Sequence, residues 1–281
     1  MAQPRNPLNT RPIPGTTEQL PMVGIGTYQT FDVGTGASER AELKEVLRLL
    51  AQQGGSVIDS SPMYGRAEGV VGDLAAELKL HSALFVATKV WTRGEQAGIA
   101  QMEDSFRLLR TERIDLMQVH NLVDWKTHLK TLKAWKSAGR LRYIGITHYH
   151  AGAYADLMAV LRTREFDFVQ FNYSLVEREA EDALLPLCAE LGVGVLINRP
   201  FSQGDLFPRV KGKALPAWTS EFDCASWAQF FLKWILGHPA VTCVIPGTRR
   251  VAHLNDNLGA ARGRLPDKAT RQKMLEHLRL G

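Results

Sequence analysis

The sequence predicts an α/β protein of the (β/α)8 TIM-barrel class. Two observations carry this. Short, almost wholly apolar runs alternate with amphipathic segments along the 281-residue chain, and the count is eight strands, each followed by a helix. The strands are near-continuous in their hydrophobicity, as strands covered on both faces are. Eight βα units in this length make one barrel domain over 1–281. The rival is a doubly wound open sheet, which calls for a Gly-rich phosphate loop opening a helix after an early strand. GIGTYQ at 24–29 lacks the third glycine, and no helix follows at once.

The elements follow in order. RPIP and GTTEQLP (15–21) are expected to form a hairpin plugging the barrel floor, so that 1–21 is an N-terminal cap. MVGIG (22–26) is the first strand. In 39–53, Leu43, Val46, Leu47 and Leu50 recur at helical spacing, and Gly54-Gly55 stops the helix. SVIDS (56–60) is a strand, 67–79 a helix, 83–89 a strand, and 95–110 a helix with Ile99, Met102, Phe106 and Leu109 on one face. Strands at 114–120, 143–147, 166–172, 193–198 and 240–246 alternate with helices at 126–139, 151–163, 181–192, 224–237 and 250–261. A last polar helix spans about 267–280, and 199–223 is the one long loop.

Composition narrows the function classes. The net charge of +5 comes without a dense Lys/Arg block interleaved with aromatics, so nucleic acid is not expected as a partner. Cys188, Cys224 and Cys243 are far apart, odd in number and without CxxC spacing. That argues against a disulfide framework and a zinc site, and for buried thiols in a reducing, cytoplasmic setting. No run reaches the roughly eighteen apolar residues of a membrane span. The N-terminus lacks the apolar core of a signal peptide, although a trimmed export signal would leave the same sequence.

In such barrels chemistry sits at the carboxyl ends of the strands. Those ends read Gly26-Thr27-Tyr28, Asp59, Lys89, His120, Thr147-His148, Gln170 to Asn172, Asn198 and Pro246-Gly247. Asp59, Lys89 and His120 end consecutive strands, and Tyr64 lies in the loop after Asp59. Neighbouring strands are about 4.8 Å apart, so the four side chains can meet. Lys89 can neutralise Asp59, whose burial would otherwise be costly. The same ammonium is expected to lower the Tyr64 pKa and make it a general acid–base. A neutral His120 can donate a hydrogen bond to a carbonyl oxygen beside Tyr64. Taken singly, the ion pair reads equally as structural and the histidine as a core residue; together at one mouth they read as a site.

VIDSSPMYG, FVATKV, RIDLMQVHN, VQFNYS and IPGTRRVAHLNDNL are similar to the motifs of the aldo-keto reductase superfamily, and the resemblance covers nearly the whole chain. It implies reduction of an aldehyde or ketone by hydride from NADPH, with Tyr64 as proton donor, Lys89 and Asp59 tuning it, and His120 orienting the substrate. It implies no metal. For the cofactor it implies contacts from Gly26, Thr27, Tyr28 and Asp59, with Gln170 holding the nicotinamide carboxamide and Thr147-His148 standing where Ser-Asn is usual, with or without a contact from His148 to the amide. Asn198 stands where a stacking aromatic is common, followed by Arg199, Pro200 and Phe201. Gly247, Thr248, Arg249 and Arg250 are expected at the 2′-phosphate, where a helix N-terminus and guanidinium forks suit an anion. Asp256 and Asn257 would face the adenine.

Tyr28, Phe31, Trp91, Trp125, Phe207 and Trp218 are candidates for an aromatic substrate rim, or equally for loop anchors. The partner is expected to be a small carbonyl compound, and the chain a monomer or weak homo-oligomer. Three rivals stand beside this reading. One is a catalytically silent NADPH-binding barrel that regulates a partner protein. Another is a lyase using Lys89 as a Schiff-base nucleophile, which would need Lys89 free of a carboxylate. The third is metal hydrolysis through His148 and His150, which strand alternation would place on opposite faces.

Overall fold

The computed structural model describes residues 6–279. A hairpin comes first, β1 (Thr10–Pro12) antiparallel to β2 (Gln19–Pro21). Residues 1–5 of the expected cap lie outside the described residues. Eight strands follow: β3 (Ile25–Gly26), β4 (Val57–Asp59), β5 (Phe85–Val90), β6 (Ile114–His120), β7 (Leu141–Thr147), β8 (Phe168–Asn172), β9 (Gly194–Asn198) and β10 (Cys243–Val244). They pair in parallel and in chain order. Parallel bridges from Val23 to Val244 and from Gly26 to Gly247 join the first strand to the last, so the sheet closes into the expected barrel.

The helices are α1 (Ala37–Gln52), α2 (Ala67–Leu78), α3 (Glu95–Leu109), α4 (Trp125–Ser137), α5 (Tyr154–Leu161), α6 (Leu184–Leu191), α7 (Leu206–Arg209), α8 (Trp227–Leu236), α9 (Val251–Gly259) and α10 (Lys268–Arg279). The predicted face of α1 is its buried face: Leu43, Val46, Leu47 and Leu50. Pro186 falls in the first turn of α6, where no donor N–H is needed, so that helix starts after the expected position rather than breaking. The 199–223 segment is not bare loop: it holds α7, one 3₁₀ turn at Ser202–Gly204 and a six-residue 3₁₀ helix at Ala217–Phe222.

The first and last barrel strands are two residues each, shorter than the apolar runs suggest. Pro246 has no N–H to extend the ladder. The seam is held by single bonds instead, from Gly24 N to Val244 O at 2.9 Å and from Val244 N to Met22 O at 2.9 Å. A side chain at Gly24 would meet Val57 Cβ at 2.6 Å, so glycine sets how closely this first strand approaches β4 on its other side.

The hairpin packs against the lower barrel. Ile13 and Leu20 pack with Val57, Phe85, Leu116, Phe168, Leu196 and Cys243, the inward side chains of the lower barrel. Beside them Arg11 donates to the carbonyls of Leu236 at 2.7 Å and His238 at 2.6 Å, at the end of α8. Burial pulls the Arg11 guanidinium down to about 10, still well above neutrality. Ile13 is 1% exposed, so Ile13→Ala leaves a cavity and is expected to cost about 2–4 kcal/mol. Urea unfolding should show that loss while the strand-end site, at the other end of the barrel, keeps its ligand affinity.

Candidate active site

Strand side chains alternate, so residues two apart on one strand share the interior. On β5 this puts Lys89 above Ala87 and Phe85, and on β6 it puts His120 and Gln118 above Leu116. The register sets Asp59 beside Ala87, Lys89 beside Gln118, His120 beside Thr147, and Thr147 beside Gln170. An apolar floor is thus capped by a polar layer at the strand ends.

Asp59 is the centre of that layer. Its Oδ2 accepts from Lys89 Nζ at 2.7 Å, and its Oδ1 accepts from Gln118 Nε2 at 3.1 Å and Gln170 Nε2 at 2.9 Å. Lys89 is fully buried and donates also to Ser60 O at 2.6 Å. Burial by itself would strip its proton; Asp59 and then Tyr64 outweigh that, and the Lys89 pKa is raised. The expected ion pair is therefore real and dry, and Lys89 does have the carboxylate partner that a Schiff-base role forbids.

Tyr64 is placed by its loop. Its amide donates to Ser61 O at 2.9 Å, and Gly65, at φ 61°, turns the chain into α2 past Asp32. The phenol ring centroid lies 5.0 Å from Lys89 Nζ and 5.9 Å from the His120 ring, edge-on at 88°. So the four side chains meet. One expectation reverses: burial raises the Tyr64 pKa and wins over Lys89, which lowers it less. An ammonium already shared with Asp59 stabilises the phenolate too little to offset lost hydration. His120 is 6% exposed, and burial, then Lys89 and His148, push its pKa down to about 2. Its imidazole is neutral.

These groups open into a cavity of about 770 Å³ lined by Gly26, Thr27, Tyr28, Asp59, Tyr64, His120, Thr147, Gln170, Asn198, Arg199, Pro200, Phe201 and Gly247 among the predicted residues. Thr248, Arg249, Arg250, Asp256 and Asn257 do not line it. Arg249 and Arg250 are exposed where α9 begins, Thr248 is buried, and Glu42 Oε1 accepts from the Val251 amide at 3.4 Å. Asp256 accepts from Ser226 Oγ and Gln229 Nε2, both at 2.8 Å, and Asn257 is buried. Gln170 is engaged by the protein on both ends: its Oε1 accepts from Thr147 Oγ1 at 3.2 Å and Asn198 Nδ2 at 3.3 Å. Asn198 Nδ2 also donates to His148 O at 3.0 Å, while its Oδ1 is buried without a partner among the described residues.

The His148 side chain is outside the cavity, stacked on Tyr149, and its ring lies 4.4 Å from that of His150. Both follow the end of β7, so strand alternation does not separate them as expected. Tyr28, Trp91 and Phe207 do stand exposed at the cavity mouth. Phe31, Trp125 and Trp218 do not line it: Phe31 is fully buried, Trp125 packs on Phe166, and Trp218 on Phe222 and Phe230. Sequence reading missed Gln118, Met63, Asn121 and Tyr149. Tyr149 lines the cavity with the Arg199 guanidinium 4.5 Å from its ring. Its only signal was an aromatic two residues past a strand end.

Residues 22–273 match the Aldo/keto reductase family. The chain belongs to the aldo/keto reductase family. It is 29% identical over 245 residues to methylglyoxal reductase YeaE of Escherichia coli, covering 85% of this chain and 84% of that one. It is 28% identical over 216 residues to aldo-keto reductase YhdN of Bacillus subtilis, covering 72% of this chain and 63% of that one. In fold it is similar to an aldo/keto reductase from Klebsiella pneumoniae solved with NADP and acetate, with TM-score 0.79 and 21% identity over 96% of both chains. It is likewise similar to AKR11C1 from Bacillus halodurans, with TM-score 0.73 and 22% identity over 96% of both chains.

Two predictions follow for this family member. Lys89→Met leaves a buried carboxylate without its cation and is expected to cost about 3–5 kcal/mol, and adding Asp59→Asn should recover part of that loss. Urea unfolding of the two single variants and the double variant checks this. The second concerns pH. Between 6.5 and about 2 the unfolded chain protonates His120 while the folded chain does not, so stability falls as pH falls. Below pH 6.5 the wild-type stability curve should be steeper than that of His120→Gln by about 1.4 kcal/mol per pH unit.

Proposed function

We propose that this protein reduces an aldehyde or ketone to an alcohol with NADPH, using Tyr64 as general acid. The convergence of Asp59, Lys89, Tyr64 and His120 at one cavity carries the reading. NADP in the structural neighbour named above supports the cofactor. The residues present suit it: Asn198 lines the cavity with Thr147 and Gln170, and its Oδ1 is a buried acceptor with no partner among the described residues, which a carboxamide N–H would satisfy. Arg249 and Arg250 are exposed at the N-terminus of α9, where a phosphate would meet guanidinium donors and compete with Glu42 for the Val251 amide. When bound, the cofactor supplies a hydride.

The chain's own residues supply the rest. Burial keeps the proton on Tyr64 at rest, which is the form an acid must have. As negative charge develops on the carbonyl oxygen, Tyr64 transfers its proton, and the phenolate left behind faces the Lys89 ammonium. His120, neutral, holds the oxygen by a hydrogen bond rather than by charge. The exposed Tyr28, Met63, Trp91, Tyr149 and Phe207 around the mouth suit a substrate with an apolar body. The name of the methylglyoxal-reducing relative recommends 2-oxoaldehydes for the first substrate panel. The three buried free thiols fit a reducing compartment, with the chain working as one barrel unit.

The test is loss of NADPH absorbance with a panel of aldehydes and ketones. Tyr64→Phe should abolish turnover and leave cofactor binding intact; turnover in that variant discards the acid role. NADPH should bind at least about tenfold more tightly than NADH, with Arg249→Ala erasing most of the gap. Equal affinities remove the phosphate assignment.

A further inference from the structure

Ser61 is fully buried, and its Oγ lies 3.0 Å from His120 Nδ1. The same oxygen accepts the Met63 amide N–H at 3.3 Å. A serine hydroxyl has one proton to give and two acceptor positions, and a neutral imidazole has one N–H and one bare nitrogen. Two arrangements are possible. If Nδ1 carries the proton and donates to Ser61, the serine oxygen takes two donors and its own proton has no acceptor among the described residues. A buried donor left unmet loses its hydration without return. If Ser61 donates to a bare Nδ1, every group on both sides is met, and the imidazole proton must sit on Nε2.

We propose that Ser61 is a positioning residue that fixes His120 as the Nε2–H tautomer and so aims an N–H donor into the cavity beside Tyr64. Nε2 has no protein partner among the described residues, and His120 lines the cavity. The wrong tautomer would present a lone pair to the substrate carbonyl and repel it. A cationic imidazole would donate from both nitrogens and need no tautomer control, but burial and Lys89 hold this ring neutral. The hydroxyl therefore decides which nitrogen is the donor. The inference deepens the proposed role of His120 and rests on it for its catalytic meaning, though not for the tautomer itself.

Nitrogen-detected NMR of the isotope-labelled chain without added ligand tests it, with His120→Gln identifying the resonances. At neutral pH, Nδ1 should show the shift of an unprotonated, hydrogen-bonded nitrogen and Nε2 that of a protonated one. Protonation at Nδ1 in the wild type, or an even mixture, overturns the proposal without any variant. Ser61→Ala should mix the tautomers and lower kcat by about tenfold, with NADP+ affinity unchanged. Ser61→Thr, which keeps the hydroxyl, should restore the Nε2–H form. An unmixed Nε2–H spectrum in Ser61→Ala also overturns the proposal, since another group would then be setting the tautomer. A wild type that fails to oxidise NADPH with any carbonyl would sink the reductase reading and leave the spectrum to be judged by itself.

Discussion

A carboxylate buried at the end of a three-residue strand needs its charge answered from within the protein, and the upper barrel is arranged around that need. Asp59 takes one ammonium and two side-chain amides, from β5, β6 and β8. Only one donor is charged, which matches the charge to be cancelled; the two amides satisfy Oδ1 without adding a second cation. Because strand side chains alternate, a slip of one residue would carry Lys89 or Gln118 to the helix side of the sheet. The ion pair therefore reinforces the register that the apolar floor beneath it also requires.

The same dry environment acts on each titratable group according to its charge type. It disfavours the phenolate, so Tyr64 keeps its proton. It disfavours the imidazolium, so His120 stays neutral. It would disfavour the ammonium too, but Asp59 reverses that at Lys89. One physical cause with one exception leaves a protonated phenol and a neutral imidazole lining one cavity, with a fixed cation buried behind them. On the proposed reading, the cation's effect on the phenol belongs to the moment of proton transfer more than to the resting state.

Much of this was legible in the sequence because the barrel's period is simple. Short apolar runs mark the strands, and a charged residue at the end of such a run is conspicuous; Asp59, Lys89 and His120 follow from that alone. Gln118 was not conspicuous, because an uncharged polar residue inside IDLMQVH looks like a lapse in a strand and only the register shows that it faces Asp59. Loop aromatics carry no direction in sequence, so Phe31, Trp125 and Trp218 looked like rim residues and are packing anchors, whereas Tyr149 was passed over. The sign of the Tyr64 shift was missed for a different reason. Proximity to Lys89 can be read from strand order, but the desolvation that outweighs it depends on how many atoms surround the ring.

The hydrogen-bond chain does not stop at Asp59. Gln170 gives its amide protons to Asp59 and Gln118 and takes donors from Thr147 and Asn198 on its oxygen. Asn198 is thereby held by Gln170 and by the His148 carbonyl, and its own oxygen is buried with no partner among the described residues. On the proposed reading this explains how a chain without a ring at position 198 can still seat a nicotinamide: orientation passes from stacking to hydrogen bonding. Asp59 and Asn198 also share one network, because the amide that anchors Asn198 is the amide that solvates Asp59. A polar hold of this kind fixes rotation of a carboxamide more tightly than a ring face does, since hydrogen bonds are directional and stacking is not.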